Sequence, residues 1–580
     1  MPDRPALTNN QIASRFQQLA DLLEIQGEAV FKVVAYRRAA ESLAQWPERL
    51  AMTRERGALG SIPGVGKAIE QKVEDLLDTG TFKLWEEVTR ETPLGVAELL
   101  QVPDVGPKRA RQLYSELGID SLESLRRAVE RGQLAGLRGL GPRGAQKIVD
   151  GLRSLQPSDH RLPLGQARTV ALTLIEHLRN GLPDLLEVAV AGSTRRMRDT
   201  VGDLNLVLSH ERMAEVQAAL ERLPTVDHVA LQRDSYAAAT LQNGVRVTVA
   251  VASPEQFGAV LHHWTGSVLY NQRLAEVARE RGYALGPLGL SAPRSSPACP
   301  TEMELYDLLG LQLVPATMRE EPDMVDRALA GNVPEEIEVG MLRGDLHTHT
   351  TWSDGQRTVR EMAEAARALG YEYLCVTDHS QSLGVANGLS PLRLAQQRLE
   401  IDAVNAELAP FRVLQGVELE VRGDGSLDLP DETLAALDIV VASVHTGLRQ
   451  GRERVTSRAL AAVRHPLVDV LAHPTGRLVG RRAGGDFDME ALIAEALRTG
   501  TALEINSDPA RLDLRDVDAR PAAEAGCLLS IDSDAHSTEG LGNVFYGAAL
   551  ASRARVRQEQ VLNTLPLNAM LSTLKRNRRE

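Results

Sequence analysis

The chain is poor in aromatics, in cysteine and in long apolar runs. Phe, Trp and Tyr together make up 3% of its 580 residues, so its cores must be built from Leu, Val and Ala. Its three cysteines, Cys299, Cys375 and Cys527, stand far apart in the sequence. They make neither a CxxC zinc pair nor a disulfide framework, which excludes thiolate metal sites and fits a reducing compartment. No apolar run approaches the ~20 residues that a membrane span needs. The opening MPDRPALTNN has no apolar stretch of signal-peptide type. Neither secretion nor a membrane partner is therefore expected, and the expected location is cytoplasmic and nucleoid-associated. Basic charge is also in deficit: the net charge of −13 argues against broad nucleic-acid affinity. The deficit is uneven. Residues 1–160 balance 22 Lys and Arg against 22 Asp and Glu, so all the excess acid follows residue 160. An acidic later portion suits a cation site, while a neutral N-terminal portion can still grip DNA locally.

What is present is a globular composition, 43% hydrophobic and 25% charged, in a chain long enough for roughly three to five domains. Residues 8–155 read as helical, with apolar positions at three- to four-residue spacing in 12–23, 31–43, 69–77 and 110–117. Three of the breaks resemble one another: SIPGVGKAIEQKV (61–73), QVPDVGPKRARQL (101–113) and LRGLGPRGAQKIV (137–149). Each is a hydrophobic residue, a Gly-rich turn and a helix with Lys or Arg in its first turns, the helix-hairpin-helix pattern. The glycines, among them Gly64, Gly66 and Gly106, are expected to allow a tight turn with positive φ. The turn amides, with Lys67 and Lys108 beside them, can meet a DNA phosphate without reading sequence. One such turn equals an ordinary helix–helix connection; three in 90 residues point to DNA.

Near residue 160 the pattern changes. ARTVALTLIEHLRN (167–180) reads as an amphipathic helix, and LEVAVAGS (186–193), DLNLVLS (203–209) and VRVTVAVA (245–252) as Val-rich strands. Residues 253–325 return to helix and irregular chain, and 326–342 read as a connector. From 343 onward strand-like and helical stretches alternate: YLCVTDH, FRVLQGVELEV, DIVVASVH, VDVLAHP, TALEINS and CLLSIDSDAH, with VREMAEAARALG and MEALIAEALRTG between them. That alternation predicts a parallel α/β sheet or barrel with its polar residues at strand ends.

Six histidines in this region, His347, His349, His379, His445, His473 and His536, sit at predicted strand ends together with Asp354, Glu418 and Asp534. An HTH on a strand would by itself be an ordinary surface pair. Nine imidazole and carboxylate ligands at successive strand ends exceed what one ion needs and suit two or three Zn²⁺ or Mn²⁺ ions. Clustered ions lower the pKa of a bound water and hold both oxygens of an in-line displacement at phosphorus, so phosphoester hydrolysis is the expected chemistry.

The motifs DLHTHTTWSDG, TDH, GVE, SVH, AHP and DAH, in this order, resemble the polymerase-and-histidinol-phosphatase (PHP) domain over about 343–570, with none of the nine positions replaced. The resemblance implies a distorted (β/α)7 barrel with a trinuclear centre. It implies His347, His349, Glu418 and Asp534 on one metal, Asp354, His379 and His536 on a second, and Glu418, His445 and His473 on a third, with Glu418 bridging.

GSTRRMRDTVGDLNLVL (192–208) resembles the GS-x-RR…GD-x-D signature of family X DNA polymerases, and HWTGSVLYNQRLAEVARERGYAL (263–285) their thumb segment. With the upstream hairpins, the whole chain resembles a bacterial family X DNA polymerase with a C-terminal PHP domain. The implied organisation is a lyase-like helical domain with the first hairpin (1–90), a fingers-like hairpin domain (91–159), an α/β nucleotidyltransferase-like palm (160–252), a thumb (253–325), a linker (326–342) and the PHP barrel (343–580). The resemblance implies that Gly192, Ser193 and Arg196 cradle a nucleotide triphosphate, that Gly202 shapes the loop, and that Gly266, Ser267 and Asn271 line the nucleotide pocket. Lys72 matches the Schiff-base lysine of eukaryotic members; a lysine on a helix surface is more often simply solvated.

One departure matters most. Two-metal nucleotidyl transfer needs three palm carboxylates. Asp203 is the first, but Asn205 and Thr248 stand at the other two positions, and 244–252 contain no acid. A Mg²⁺ or Mn²⁺ pair prefers anionic oxygen, so several kcal/mol of transition-state stabilisation should be missing, roughly several orders of magnitude in rate. Asp199 lies nearby in the preceding loop and is not expected to substitute. The expected function is a DNA repair protein whose PHP barrel is a metal-dependent 3′→5′ exonuclease or DNA phosphoesterase. Its polymerase-like core would bind gapped, nicked or recessed ends, and dNTP, but polymerise poorly or not at all. The rivals are a working gap-filling polymerase with 3′→5′ exonuclease, a non-catalytic DNA-end scaffold, and a small-molecule phosphatase, against which the hairpins argue.

Overall fold

The computed structural model describes residues 9–46, 50–102, 105–137, 140–154, 161–223, 225–232, 235–241, 244–293 and 296–577. The chain divides into two compact units, Met1–Asp159 and His160–Glu580.

The described part of the first unit is helical throughout. Helices Asn9–Gln26, Val30–Gln45, Lys67–Thr79 and Lys83–Glu91 enclose Phe16, Leu19, Tyr36, Val73 and Phe82. A second core gathers Val96, Val105, Leu113, Leu125 and Ile148 under Pro107–Leu117, Leu122–Glu130 and Pro142–Ser154. Val65 and Val105, the apolar residue inside each of the first two hairpin turns, are buried and anchor the turn to its core.

The second unit opens with β1 (Leu162–Pro163), a helix Leu164–Gly181, and β2 (Glu187–Ala191). β3 (Thr200–Val201), β4 (Asp203–Ser209), β5 (Val226–Gln232), β6 (Tyr236–Leu241) and β7 (Arg246–Ala252) follow. The palm sheet runs β2-β4-β7-β6-β5, and β4 and β7 are its parallel neighbours. Alternation sorts the side chains of β4: Leu204, Leu206 and Leu208 enter one core and Val207 the opposite one. Asp203 and Asn205 therefore lie on the Val207 face, under the helix Phe257–Thr265. The strand anticipated through residue 193 stops at Ala191, where Gly192–Arg195 turns helical.

The thumb consists of helices Phe257–Thr265, Val268–Glu280, Glu302–Leu308 and Asp323–Leu329 with the hairpin β8 (Ala284–Gly286) and β9 (Gly289–Ser291). The last helix crosses the boundary drawn at 325/326, and its Met324, Val325 and Ala328 belong to the thumb core.

The barrel strands are β10 (Gly344–Thr348), β11 (Tyr373–Val376), β12 (Arg412–Gln415), β13 (Glu418–Glu420), β14 (Val441–Ser443), β15 (Val470–Leu471), β16 (Ala502–Asn506) and β17 (Leu529–Asp532). All neighbours are parallel, in the orders β10-β11-β12 and β13-β14-β15-β16-β17. β12 and β13 are one strand broken at Gly416–Val417, which gives seven staves. The ring closes where Thr348 bridges Ala535 and the His349 amide donates to the Ala535 carbonyl at 2.8 Å. One continuous apolar cluster joins Leu164, Ala171, Leu206 and Val247 of the palm to Met362, Ile505 and Leu550 of the barrel, so palm and barrel fold around common ground.

Gly258 is where the thumb's first helix meets Thr301: a Cβ there would fall 2.1 Å from the Thr301 carbonyl carbon. Gly258→Ala is expected to cost about 1–3 kcal/mol, seen as a melting temperature lowered by several degrees; an unchanged melt would show that this contact is slack.

Candidate metal centre and nucleotide cleft

The nine barrel ligands converge. Glu418, at the start of β13 and 1% exposed, is the hub. Its Oε1 lies 2.9 Å from His473 Nε2 and 3.1 Å from His445 Nε2; its Oε2 lies 2.8 Å from His379 Nδ1, 3.4 Å from His347 Nε2 and 3.5 Å from His349 Nε2. Asp534 faces His349 Nε2 at 3.2 Å and His347 Nε2 at 3.7 Å. Asp354 faces His536 Nε2 at 3.4 Å and His379 Nε2 at 3.6 Å. Three overlapping ligand groups result: His347, His349 and Asp534; His349, Asp354, His379 and His536; and His379, Glu418 and His445. This differs in detail from the anticipated allotment, because His349 and His379 each stand in two groups. His473 approaches through its 2.9 Å contact with Glu418.

The donor set fits divalent cations. His347 Nε2, both ring nitrogens of His349, and His379 Nδ1 are buried without a hydrogen-bond partner, although carboxylate oxygens lie nearby. Buried ring nitrogens beside buried carboxylate oxygens, with no other partner, are the mixed donor set that a divalent cation would take up. Two ligands also sit in the left-handed region unusual for non-glycine residues, His473 at φ 24° and Asp534 at φ 55°, strain of the kind held at functional sites.

Electrostatics follow from this crowding. Burial, joined by His536 and His379, pushes His349 down to about 3, so its ring is neutral and ready to ligate. Burial opposes a proton on His379, but Glu418 and Asp354 outweigh it and raise the pKa to about 10. Burial is likewise overcome at His445 by Glu418 and Glu420, and at His536 by Asp354 and Asp534, raising each to about 9. Burial would lift Glu418, but the surrounding imidazoles hold it well below the usual carboxylate range.

Sequence reasoning missed the groups that orient these ligands. Glu504 contacts His347 Nδ1 at 2.6 Å and accepts from the His473 amide. Glu420 contacts His445 Nδ1 at 2.7 Å. Asn506 Nδ2 donates to Asp534 at 3.1 Å, and Arg511 Nε lies 3.3 Å from the same carboxylate. Asp378 accepts from Thr350 and Ser353 and so fixes the loop between His349 and Asp354. Glu420 was within reach of the pattern, since it shares the β13 face with Glu418 two residues away.

The palm contains a cleft of about 540 Å³ lined by Gly192, Ser193, Arg196, Asp203, Asn205, Gly266, Ser267 and Asn271, among others. Gly202 is not part of that lining; a Cβ there would fall 3.0 Å from the Arg161 guanidinium. Gly192 has φ 62°, and a Cβ there would fall 2.6 Å from Asn205 Nδ2. Three of the nucleotide ligands are otherwise engaged. Arg196 Nε donates to Glu320 at 2.8 Å, and its Nη1 to the Thr265 carbonyl. The Ser267 hydroxyl donates to the Glu320 carbonyl and accepts from the Tyr270 amide. Asn271 donates to the His263 carbonyl at 2.7 Å, leaving its buried Oδ1 unpartnered.

Around Asp203 the acids do not converge. Asn205 lies directly opposite Thr248 in the parallel β4–β7 register, and Asn205 Nδ2 donates to Asp203 at 3.1 Å. Asp203 is the one carboxylate lining the cleft among the described residues. Asp199 pairs instead with Arg477 of the barrel at 2.9 Å.

In the first unit, Gly64 has φ 77°. Gly66 and Gly106 depart from the positive φ anticipated for them. At φ −81° and −88° they are extended N-caps of the helices that begin at Lys67 and Pro107. The position matching Gly64 in the second hairpin, Asp104, lies outside the described residues, as does Gly139 of the third. Lys67 and Lys108 are exposed at these helix starts. Lys72 Nζ donates to the Ala68 carbonyl at 2.7 Å and lies 5.9 Å from the Tyr36 ring centroid. Burial, with Lys32 adding to it and Asp75 opposing, lowers its pKa.

Comparison with known proteins matches these parts in order. The model described as "Helix-hairpin-helix domain" matches 7–82, "SAM-like Helix-hairpin-helix tandem" 96–154, "DNA polymerase beta thumb" 260–320 and "PHP domain" 345–508. The "DNA polymerase/3′-5′ exonuclease PolX" of Bacillus subtilis (strain 168) is 39% identical over 97% of this chain and 98% of its own length. The chain belongs to the bacterial family X DNA polymerases with a C-terminal PHP domain. It is thus of the nucleotidyltransferase and phosphoesterase type, and its hairpin and thumb domains are those of a DNA-binding protein. "DNA polymerase lambda" of Rattus norvegicus is 25% identical over 52% of this chain and 55% of its own. A "Probable phosphatase" of Thermoanaerobacter sp. (strain X514) is 28% identical over 38% of this chain and 89% of its own length. Among the described residues, no helix is long and apolar enough to cross a membrane.

The raised imidazoles set a pH dependence. A folded-state pKa above the unfolded ~6.5 contributes stability that is whole below pH 6.5 and is lost as pH climbs through 9 to 10. Metal-stripped protein is therefore expected to melt at lower temperature at pH 10 than at pH 7. Saturating Mn²⁺ should flatten that slope and release protons on binding at pH 7. Equal slopes with and without metal would show that these histidines do not titrate against the site.

Proposed function

We propose that the barrel hydrolyses DNA phosphodiesters from a 3′ end in a metal-dependent reaction, and that the palm holds DNA ends, and nucleotide, without efficient polymerisation. The gathering of nine candidate ligands, five histidines of which meet Glu418, against a single carboxylate in the palm cleft, supports this reading. Mn²⁺ or Zn²⁺ held by His347, His349, Asp354, His379, Glu418, His445, His473, Asp534 and His536 would supply Lewis acidity and an activated water. The protein's own part is orientation and charge. Glu504 and Glu420 fix the rings of His347 and His445, and Asn506 and Arg511 fix Asp534. The Arg511 guanidinium, beside Asp534, carries positive charge at the edge of the site where a phosphate must dock.

In the palm, Asp203 alone would face any Mg²⁺ or Mn²⁺, and the Asn205 amide already uses one of its oxygens. Gly64, Gly66, Lys67, Gly106 and Lys108 would grip the phosphates flanking a gap or nick, with cytoplasmic, nucleoid-associated DNA as the substrate. Lys72, on its helix beside Tyr36, would act as a Schiff-base nucleophile towards an abasic sugar, aided by its lowered pKa. A second reading, hydrolysis of a small phosphomonoester, draws on the phosphatase relatives of the barrel. Turnover on a small phosphomonoester well above that on a recessed DNA 3′ end would favour it.

His349→Ala and Asp534→Ala are expected to lower DNA hydrolysis by at least a hundredfold while leaving affinity for gapped DNA unchanged; nuclease activity surviving both would overturn the assignment. The palm reading has a test by gain. Asn205→Asp with Thr248→Asp should raise Mg²⁺-dependent primer extension by orders of magnitude over the natural chain, whereas brisk Mg²⁺-dependent extension by the natural chain would refute it.

A further inference from the structure

Asp199 is a palm residue, yet its partner lies in the barrel. Its carboxylate accepts from Arg477 Nη1 at 2.9 Å. Asp199 is held in place from its own side, because the Leu164 amide donates to its carbonyl at 3.0 Å and the neighbouring Thr200 and Val201 pair with Pro163 and Leu162. Arg477 is 9% exposed and belongs to the loop that carries the ligand His473. The tight turn between them is closed by Gly476 N donating to the His473 carbonyl at 2.8 Å. It is fastened by Thr475 and Gly476 amides donating to the Asp513 carboxylate. Arg477 Nε donates to the Arg511 carbonyl at 2.7 Å, and Arg511 in turn faces the ligand Asp534 at 3.3 Å. Arg477 thus belongs to the His473 loop and touches the Arg511 loop, whose arginine faces Asp534, and its Nη1 is answered by a carboxylate from another domain. Its Nη2 is buried without a hydrogen-bond partner, so Asp199 is the one side chain hydrogen-bonded to the guanidinium among the described residues.

We infer that Asp199 is a positioning residue for the barrel's metal centre, acting through Arg477 on the loop of His473 and on the Arg511 loop that backs Asp534. The palm loop that runs from Arg196 to Asp203 then serves two sites. One end lines the nucleotide cleft, and its middle braces the hydrolytic centre. A buried guanidinium that loses its carboxylate must find water or move. Movement of Arg477 would shift the Arg511 carbonyl and the His473 turn together. Losing such an outer partner typically weakens metal affinity or activity about 10–100-fold.

This inference rests on the barrel being the metal-dependent centre, so the test reads metal binding first. Mn²⁺ would be titrated into the full-length, metal-stripped protein by calorimetry and by electron paramagnetic resonance, followed by hydrolysis of a recessed DNA 3′ end. Asp199→Asn, which keeps the shape and removes the charge, is expected to weaken at least one bound Mn²⁺ roughly tenfold, with the cleavage loss reversed at high Mn²⁺. Asp199→Glu should restore most of the affinity. Arg477→Lys, which keeps an ion pair but cannot also hold the Arg511 carbonyl, should show a similar weakening, and it stands in if Asp199→Asn does not fold. A wild-type Mn²⁺ titration from either folded neutral or lysine variant would overturn the inference. If the natural chain binds Mn²⁺ but leaves DNA intact, the nuclease reading falls while the titration still decides the role of Asp199.

Discussion

The barrel is organised around one buried carboxylate. Glu418 is in contact with five imidazoles, from the loops and strands of β10, β11, β14 and β15. An anion this deep is tolerable only if positive charge surrounds it. In the absence of ions His347, His379 and His445 supply that charge by holding protons, each raised, against the effect of burial, by the carboxylates beside it; divalent cations would supply it more strongly and release the protons. The fold meets this demand by breaking a stave. Gly416, whose missing Cβ would strike Cys375 Sγ at 2.8 Å, lets the chain step inward so that Glu418 faces the axis. The same demand explains the paired acids behind the rings, since Glu504 and Glu420 hold His347 and His445 at the nitrogen facing away from Glu418.

Much of this was legible in the sequence because each ligand follows a short apolar run that can only be a buried strand. A parallel strand ends in a loop at the chemical face, so residue type and strand order together disclosed the nine ligands. The orienting groups were not legible for a physical reason. Asn506, Arg511 and Asp378 act through single hydrogen bonds across loops, and nothing in periodicity marks a tertiary hydrogen bond. The palm strands β5 and β6 escaped notice because YAAATL has little β-propensity of its own and owes its conformation to pairing with β7. The hairpin glycines showed a different limit. The motif locates the turn, but whether a given glycine adopts positive φ or caps the next helix is settled by the turn's geometry, as Gly64 and Gly66 illustrate. Asn205 and Thr248 were singled out only by resemblance to the palm signature; that they stand opposite one another follows from the parallel pairing of β4 with β7, which fixes Leu206 and Val249 in the core.

The two centres of the second unit place opposite demands on the protein. Three carboxylates in a palm repel one another and need cations to stay charged together. In this cleft Asp203 has no second carboxylate beside it, so that repulsion is absent, and it is satisfied by the neighbouring Asn205 amide. The cleft is thus at rest without ions. Its arginine is at rest too, since Arg196 already bonds to Glu320, an anion it shares with Arg553 of the barrel. A nucleotide phosphate entering the cleft would have to compete with that carboxylate.

The palm is bound to the barrel by packing, whatever its cleft does. The leucines of β4 that do not face the cleft lie in the same apolar cluster as the barrel helices, and the Leu164–Gly181 helix brings Gly165 against Pro509 so closely that a Cβ would fall 2.8 Å from it. An ion pair crosses the seam as well, Arg477 on Asp199, while Arg555 on Asp323 and Arg553 on Glu320 tie the thumb's end to the barrel. A barrel deprived of the palm would expose this apolar surface and leave the buried Arg477 without Asp199, a penalty that falls on the loop of His473. A change at Asn205 or Thr248 touches only the cleft face of β4 and β7, while the opposite face is fixed by its contribution to the apolar cluster shared with the barrel.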